Sequence, residues 1–517
     1  MKKFGFIFVA SVLLSGCMTL SLPDDWQEQR KQAEEEQKKQ EEEDKTPAVL
    51  TYFAFLKEDN PDLEEDIVCT NLEPQNLLMI PNCDLGLPRM LKPRFSLDKG
   101  VLIYNGDEMT SGESEMYCSY DQNAPIRRES GSLKTYHNVT FATWTGLPVV
   151  EITSETSIKT EWQDAFISVH GQGVYADIQM DSVKVKRRGN STAYQPKTPF
   201  NVKFGKKTSV LGMPKGKRWC FLANYRDRSM LRNNVALELG HMADNMEWNP
   251  HSVFAEVYYN GEHIGLYEVT EAIRQNENRV DVEELTAGDT DPATITGGYI
   301  IEVDDHFDRT FKFKTEAYSW PVNVRYPKDD DMNYEQFAYI RDFINDLERA
   351  LDGGNFEYLR DAIDYPSFVD MFIVEQAMGC QEFCSSGSIY LHKKRGGKLC
   401  SGPLWDFEHQ SLVSEDNQKV YNALWYPYLL DDPEFATSLK KRWPVLKERF
   451  ESRIYDYIDE KTAQLALSMT FNDALYPLKG LNFNNLDADL TFEEAADRLK
   501  TVLRARIAWM DELIASF

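Results

Sequence analysis

The chain has 517 residues, 42% hydrophobic and 12% aromatic, which is enough for a sizeable core and excludes a disordered protein. The length predicts more than one domain. A formal net charge of −27 argues against general nucleic-acid binding, because phosphate backbones would be repelled over most of the surface.

The N-terminus reads as a targeting segment. Lys2 and Lys3 precede a short apolar run, Phe4 to Leu14. Leu14-Ser15-Gly16-Cys17 follows and resembles the bacterial lipobox. That resemblance implies a signal peptide over residues 1–17, cleavage before Cys17, and diacylglyceryl transfer to its thiol. The membrane would then be met through the lipid on Cys17, and the expected location is the bacterial cell envelope, at the outer membrane. No other segment approaches the roughly 20 apolar residues that span a bilayer. Residues 18–46, including QEQRKQAEEEQKKQEEEDK, have no core-forming period and read as an acidic tether. Seven cysteines remain beyond Cys17, so at least one is unpaired; pairing is not legible. Cys380 and Cys384 lack a second pair at zinc spacing and read as structural.

Residues 47–142 carry short apolar runs (LTYFAFL, GVLIYNG, HNVTFATW) separated by Pro, Asn and Gly, which predicts a small β-sandwich. The succession NPDLEEDI, a Leu-Pro stretch, SGES and YHNVTF resembles the Ig-like domains of exported lipoproteins.

From about Leu147 the chain becomes an α and β mixture, giving an α+β class overall. VYADIQMDSVKVKRRGN alternates as a strand. Arg228 to His241 reads as a helix, with Leu231, Val235 and Leu239 on one face. Residues 252–271 read as a hairpin turning at Asn260-Gly261. Helices are expected over 333–351 and 366–379, the second started by Asp364 and Pro366. A hairpin tipped by Gly396-Gly397 should follow, then mostly helix from 432, the last from Phe492 to Ser516.

Three constellations carry chemistry. Between Ser182 and Arg226 there are 12 Lys and Arg and no Asp or Glu, an isolated basic island. Its turn, around Arg188 and Asn190, offers backbone N–H groups to phosphate, and Lys203 on the returning strand offers a point charge. The second is acidic: Glu382 follows a helix, and Asp406 and Glu408 close the hairpin in GPLWDFE. Paired carboxylates beside a basic cradle suit a divalent metal and phosphoryl transfer. The third, Asp304, Asp305, His306 and Asp308, reads as a solvated strand end in preference to a metal site.

The blocks RGNST, KTPFNVK, RWCFLANYRDRSMLRN, YYNGEHIGLYEVTE, GGYIIEVDD and GKLCSGPLWDFE, in that order, resemble the CotH family of spore-coat-protein-H-like proteins. The resemblance implies an atypical protein-kinase-like domain with a helical C-terminal part, over residues 147–517. It implies ATP and Mg²⁺ (or Mn²⁺) as cofactors and a Ser or Thr of an exported protein as substrate. By position, Lys203 would contact phosphate, with Arg188 and Asn190 at the turn. Asp406 would bind metal, Glu382 would be catalytic base or ligand, and Ser388 would fall at an Asn-type ligand. Glu408 replaces the second Asp of a WDFD motif. The glutamate partner of Lys203 would be Glu238 or Glu271. The Glu-for-Asp and Ser-for-Asn departures keep a second expectation open: a catalytically inactive kinase-like scaffold that binds a partner at the envelope.

Overall fold

The structure, a computed structural model, describes residues 31–32, 46–413, 420, 422–480 and 487–517. Cys17, the signal segment and nearly all of the tether lie outside them. Among the described residues no helix is long and apolar enough to cross a membrane, and all seven cysteines are free.

Residues 47–142 form two main sheets and a short two-stranded one. One main sheet joins Ile67–Val68, Leu50–Phe55 and Arg94–Leu97; the other joins Asn76–Met79, Leu133–Phe141, Ala124–Ser130, Val101–Tyr104 and Asp107–Glu108. Alternate residues of both sheets meet in one core that includes Phe53, Phe55, Met79, Leu102, Ile126, Val139 and Phe141. The junction to the rest of the chain is small. Tyr258, 1% exposed, packs with Leu78, Ala142 and Val149, and its hydroxyl donates to Asp121 Oδ1 at 2.9 Å.

A closed barrel follows. In spatial order its strands are Val149–Thr153, Gln163–His170, Ile178–Arg187, Phe200–Thr208, Gly216–Leu222, Glu262–Glu271 and Ser252–Tyr259. The first and last pair in parallel and close it. Period-2 alternation sends Val183, Val185, Phe200, Val202 and Phe204 inside, where Phe200 stacks on Phe221 with centroids 4.6 Å apart. The same alternation forces Lys184, Lys186 and Lys203 to the outer face. The hairpin at Asn260-Gly261 forms as expected, with both turn residues at positive φ.

Between barrel strands Gly216–Leu222 and Ser252–Tyr259, helix Arg232–Met242 starts four residues later than its sequence pattern predicts. Asp227 supplies the reason: its carboxylate accepts from the N–H groups of Ser229 and Arg232, holding 227–231 as a turn. A five-stranded sheet, ordered Lys312–Lys314, Pro321–Tyr326, Tyr299–Val303, Ile389–Lys393 and Leu399–Ser401, packs on the helices. Helix Tyr365–Met378 begins at an Asp364 cap with Pro366 in its first turn and ends at left-handed Gly379. It is buried on every side, not along a single stripe, because Pro433–Leu475, Phe492–Ala515 and the sheet surround it. Capped helices Tyr334–Asp352 and Phe492–Ala515 match expectation.

One buried ion cluster binds these parts. Arg232 is fully buried and pairs with Asp227 and Asp487, while its Nε donates to the Ser411 carbonyl at 2.7 Å. Removing Arg232 leaves Asp227 buried without a counter-ion, while Asp487 keeps Arg498; stranding a buried charge in this way costs about 3–5 kcal/mol. Arg232→Ala should therefore lower the thermal midpoint far more than truncation of an exposed pair such as Lys184→Ala, as read by differential scanning calorimetry.

Candidate functional site

A cavity of about 580 Å³ lies where the outer face of the barrel meets the five-stranded sheet and the 402–411 loop. From the barrel side come Lys186, Asn201 and the 188–194 turn. Gly189 sits at φ +90, and a Cβ there would lie 2.2 Å from Thr192 Oγ1, so the turn requires glycine. Strands 178–187 and 200–208 are joined by a longer excursion than a tight turn, including the 3-10 segment Thr192–Tyr194. Arg188 places its guanidinium over the Trp405 ring, 5.2 Å from the centroid. Exposed Asn190 lies at the rim.

The opposite wall is acidic. Asp304, Glu382, Asp406 and Glu408 all line the cavity, with Ser388 among them. Ser388 is tied to Asp304: its N–H donates to Asp304 Oδ2 at 3.2 Å and its hydroxyl to the same oxygen at 3.4 Å, and its side chain lies close enough to Asp406 to favour the ionised form there. Asp406 and Ser388 are both held at positive φ, +69 and +52. Non-glycine residues in that region cost of order 1–3 kcal/mol and persist only where surroundings over-determine them.

Those surroundings are identifiable. Around Asp406, the Leu404 N–H donates to Asn249 Oδ1 at 2.9 Å and the Phe407 N–H to Asn233 Oδ1 at 2.7 Å. Glu408 Oε1 accepts the Arg226 N–H at 2.7 Å. Asn233 is itself held by Asn224 at 3.0 Å, and Asn224 by buried Glu268 at 2.8 Å. Side chains from 224–249 thus fix the backbone that carries the acids.

Crowded carboxylates resist ionisation. Burial, then Asp406 and Glu408, push Glu382 up to about 8. Burial, then Asp406 and Asp227, push Glu408 up to about 7. Burial and Asp304 raise Asp406, although its side chain opens to the cleft, while Arg188 and Arg226 pull it back. The carboxylates crowd one another even though the cavity lining also carries Lys186, Arg187, Arg188, Arg226, Arg309 and Arg325. The hard-oxygen donors Asp304, Asp406, Glu408 and Ser388 suit Mg²⁺ or Mn²⁺.

Two sequence expectations need correction. Lys203 does not join the cavity. It sits on the same outer face as Asn201 but two residues further along the strand, exposed, opposite Lys184 and Arg218. There it lines an adjacent groove of about 530 Å³, with Lys217, Arg218, Arg274, Arg309 and Arg325. Lys186, Arg187, Arg188 and Arg226 are the island's cations that line the acids' cavity. Neither candidate glutamate partners Lys203. Buried Glu271 bonds His251 at 2.9 Å, and Glu238 lies in the field of Arg453 and Lys461.

Asp304 is the residue that sequence reading undervalued. GGYIIEVDD ends a buried strand, Tyr299–Val303, and the first residue past that end projects into the cleft. Asp305 and His306 are exposed, as a solvated strand end would be. Arg309 and Arg325 carry no local motif and become visible only through the fold, whereas Arg226 closes the basic island and lies in the RWCFLANYRDRSMLRN block. In the adjacent groove the cations crowd one another. Burial, then Arg218, Arg325 and Arg309, push Arg274 down to about 9, and its Nε has no hydrogen-bond partner.

The family model described as CotH kinase protein matches residues 185–510, more than half of the chain. The chain belongs to the CotH kinase family. The matched stretch runs from inside barrel strand Ile178–Arg187 into helix Phe492–Ala515, so this CotH protein's cavity falls within it. Comparison with curated proteins gives no match.

Glu382 tests the crowding directly. Its raised value means its neutral form favours the fold at low pH, and that contribution is lost as pH rises from about 4.5 through about 8. In the absence of divalent metal, Glu382→Gln should therefore raise the thermal midpoint at pH 8.5, by on the order of 2 °C, and leave it unchanged near pH 4.

Proposed function

We propose that this CotH-family protein is an atypical protein kinase that transfers the γ-phosphoryl group of ATP to a Ser or Thr hydroxyl of an exported protein. The observation that carries this reading is the convergence of Asp304, Glu382, Asp406 and Glu408 in one cavity faced by Arg188 and Arg226. The kinase-like arrangement is likewise a proposal, with the barrel as the nucleotide-covering part and the helical remainder as the substrate-facing part.

In this reading Asp304, Asp406, Ser388 and Glu408 hold a divalent ion, which neutralises charge on the transferring phosphates. Arg188, braced on Trp405, and Lys186 hold phosphate oxygens from the barrel side. Arg309 and Arg325 border both cavities, so the triphosphate has cations along its length. Glu382 orients the attacking hydroxyl and accepts its proton. It must be ionised to do so, and so must the ligands. With Glu382 at about 8 and Glu408 at about 7 in the metal-free protein, Mg²⁺ binding, which needs these carboxylates ionised, should strengthen from pH 6 to pH 8.5. A metal affinity independent of pH over that range would remove Glu408 from the ligand set.

The Glu at 382 and Ser at 388 favour one second reading, a scaffold that retains the cavity without turnover. One extra methylene displaces a carboxylate by about an ångström, and a misplacement of that size can cost about a hundredfold in rate. Residues 47–142, none of which lines the cavity, are proposed as an immunoglobulin-like spacer. Cys17 is proposed as the lipid anchor that places the protein at the cell envelope.

Calorimetric titration with ATP, with and without Mg²⁺ or Mn²⁺, tests the site. Wild type should bind only with metal. Asp406→Ala should abolish binding, Arg188→Ala should weaken it about tenfold, and Lys203→Ala should change it less than twofold. Binding by Asp406→Ala equal to wild type would overturn the metal assignment. Phosphate transfer from labelled ATP then separates kinase from scaffold.

A further inference from the structure

A second cluster of ligand-type side chains lies outside the cavity. His392 and Cys400 face each other directly across the antiparallel strands Ile389–Lys393 and Leu399–Ser401. Glu247, in the segment after helix Arg232–Met242, reaches over them. One ligand atom from each lies within 4.8 Å of the others.

The histidine is set up as a ligand. It is 4% exposed, and its Nδ1 lies 3.2 Å from the Gly402 carbonyl. A carbonyl only accepts, so Nδ1 carries the hydrogen and Nε2 presents a lone pair. That Nε2 is buried and has no hydrogen-bond partner; Glu247 Oε2 stands 3.6 Å off, too far for one. A backbone carbonyl fixing the far nitrogen is the usual outer support of a metal-bound imidazole. Lys394 occupies Glu247 Oε2 at 2.8 Å, which leaves the second carboxylate oxygen available.

We propose that Glu247, His392 and Cys400 form a binding site for a borderline-soft divalent cation, Zn²⁺ in particular, separate from the Mg²⁺-type cavity. One oxygen, one nitrogen and one sulfur with a fourth position open is a donor set that Zn²⁺ accepts and Mg²⁺ does not. Tetrahedral bonds to these donors bring ligand atoms about 3.3–3.8 Å apart, so the cluster must contract by about 1 Å. Binding forms a metal–thiolate bond and releases the Cys400 proton to solvent. The ion would clamp the 389–401 hairpin to the segment that holds Leu404 through Asn249. Ser388 and Asp406 sit just outside the two ends of that hairpin, so the clamp would position both.

Cobalt substitution on the full, reduced chain tests this, because Co²⁺ bound to thiolate gives a near-ultraviolet charge-transfer band. One equivalent should give the band, and Zn²⁺ should quench it. Cys400→Ser should abolish the band, Glu247→Gln should weaken cobalt binding at least tenfold, and Asp406→Ala should leave the cobalt band unchanged. Zn²⁺ should also protect Cys400, and not the other thiols, from alkylation in folded wild type. Absence of the band, or its persistence in folded Cys400→Ser, would overturn the proposal.

Discussion

The architecture turns on the buried Arg232 guanidinium. It draws together Asp227 at the exit of the barrel, Ser411 just past the acidic loop, and Asp487 ahead of the last helix. A buried ion pair is seldom a net source of stability, since desolvation offsets the attraction. Its value here is geometric. Three segments far apart in sequence must meet at one charge or leave it unpaired, and the meeting point lies behind the cavity floor. Asn233, the next residue on the same helix, then fixes the Phe407 N–H. The helix that begins at Arg232 is thus the helix that sets the backbone beside Asp406.

That rigidity explains how the site tolerates its own electrostatics. Asp304, Glu382, Asp406 and Glu408 crowd one wall of the cavity, and the two glutamates are pushed up to about 8 and about 7. Asp406 and Ser388 are held at left-handed backbone angles. Each feature costs free energy, and together they would relax in a loose loop. The asparagine–glutamate network behind them, from Glu268 through Asn224 and Asn233, prevents it. A cleft that keeps carboxylates crowded is prepared for a cation, in the same way that the unpartnered Nε2 of His392 is prepared for one at the hairpin.

Much of this was legible from residue patterns. Asn260-Gly261 dictated its hairpin, Asp364 and Pro366 dictated a helix start, and the order of six blocks carried the family. Glu382, Ser388, Asp406 and Glu408 do converge, because a hairpin folds 389–401 back on itself. What escaped was direction and depth along a strand. Lys203 has the correct alternation to face outward with Asn201, yet it is one pleat too far from the acids, and only the register reveals that. Asp304 looked like a solvated end because its neighbours Asp305 and His306 are one. The contributions of Arg309 and Arg325 arise from chain crossings that no local spacing encodes.

In the proposed function the acids of the cavity hold a divalent ion against phosphate presented by the barrel. A crystal grown with Mn²⁺ and a non-hydrolysable ATP analogue locates that ion through anomalous scattering from the metal. A manganese peak bounded by Asp304, Ser388 and Asp406 is expected, with phosphate oxygens turned toward Arg188. Nucleotide bound with no metal among these residues, or a metal with its phosphates directed away from Arg188, would contradict it.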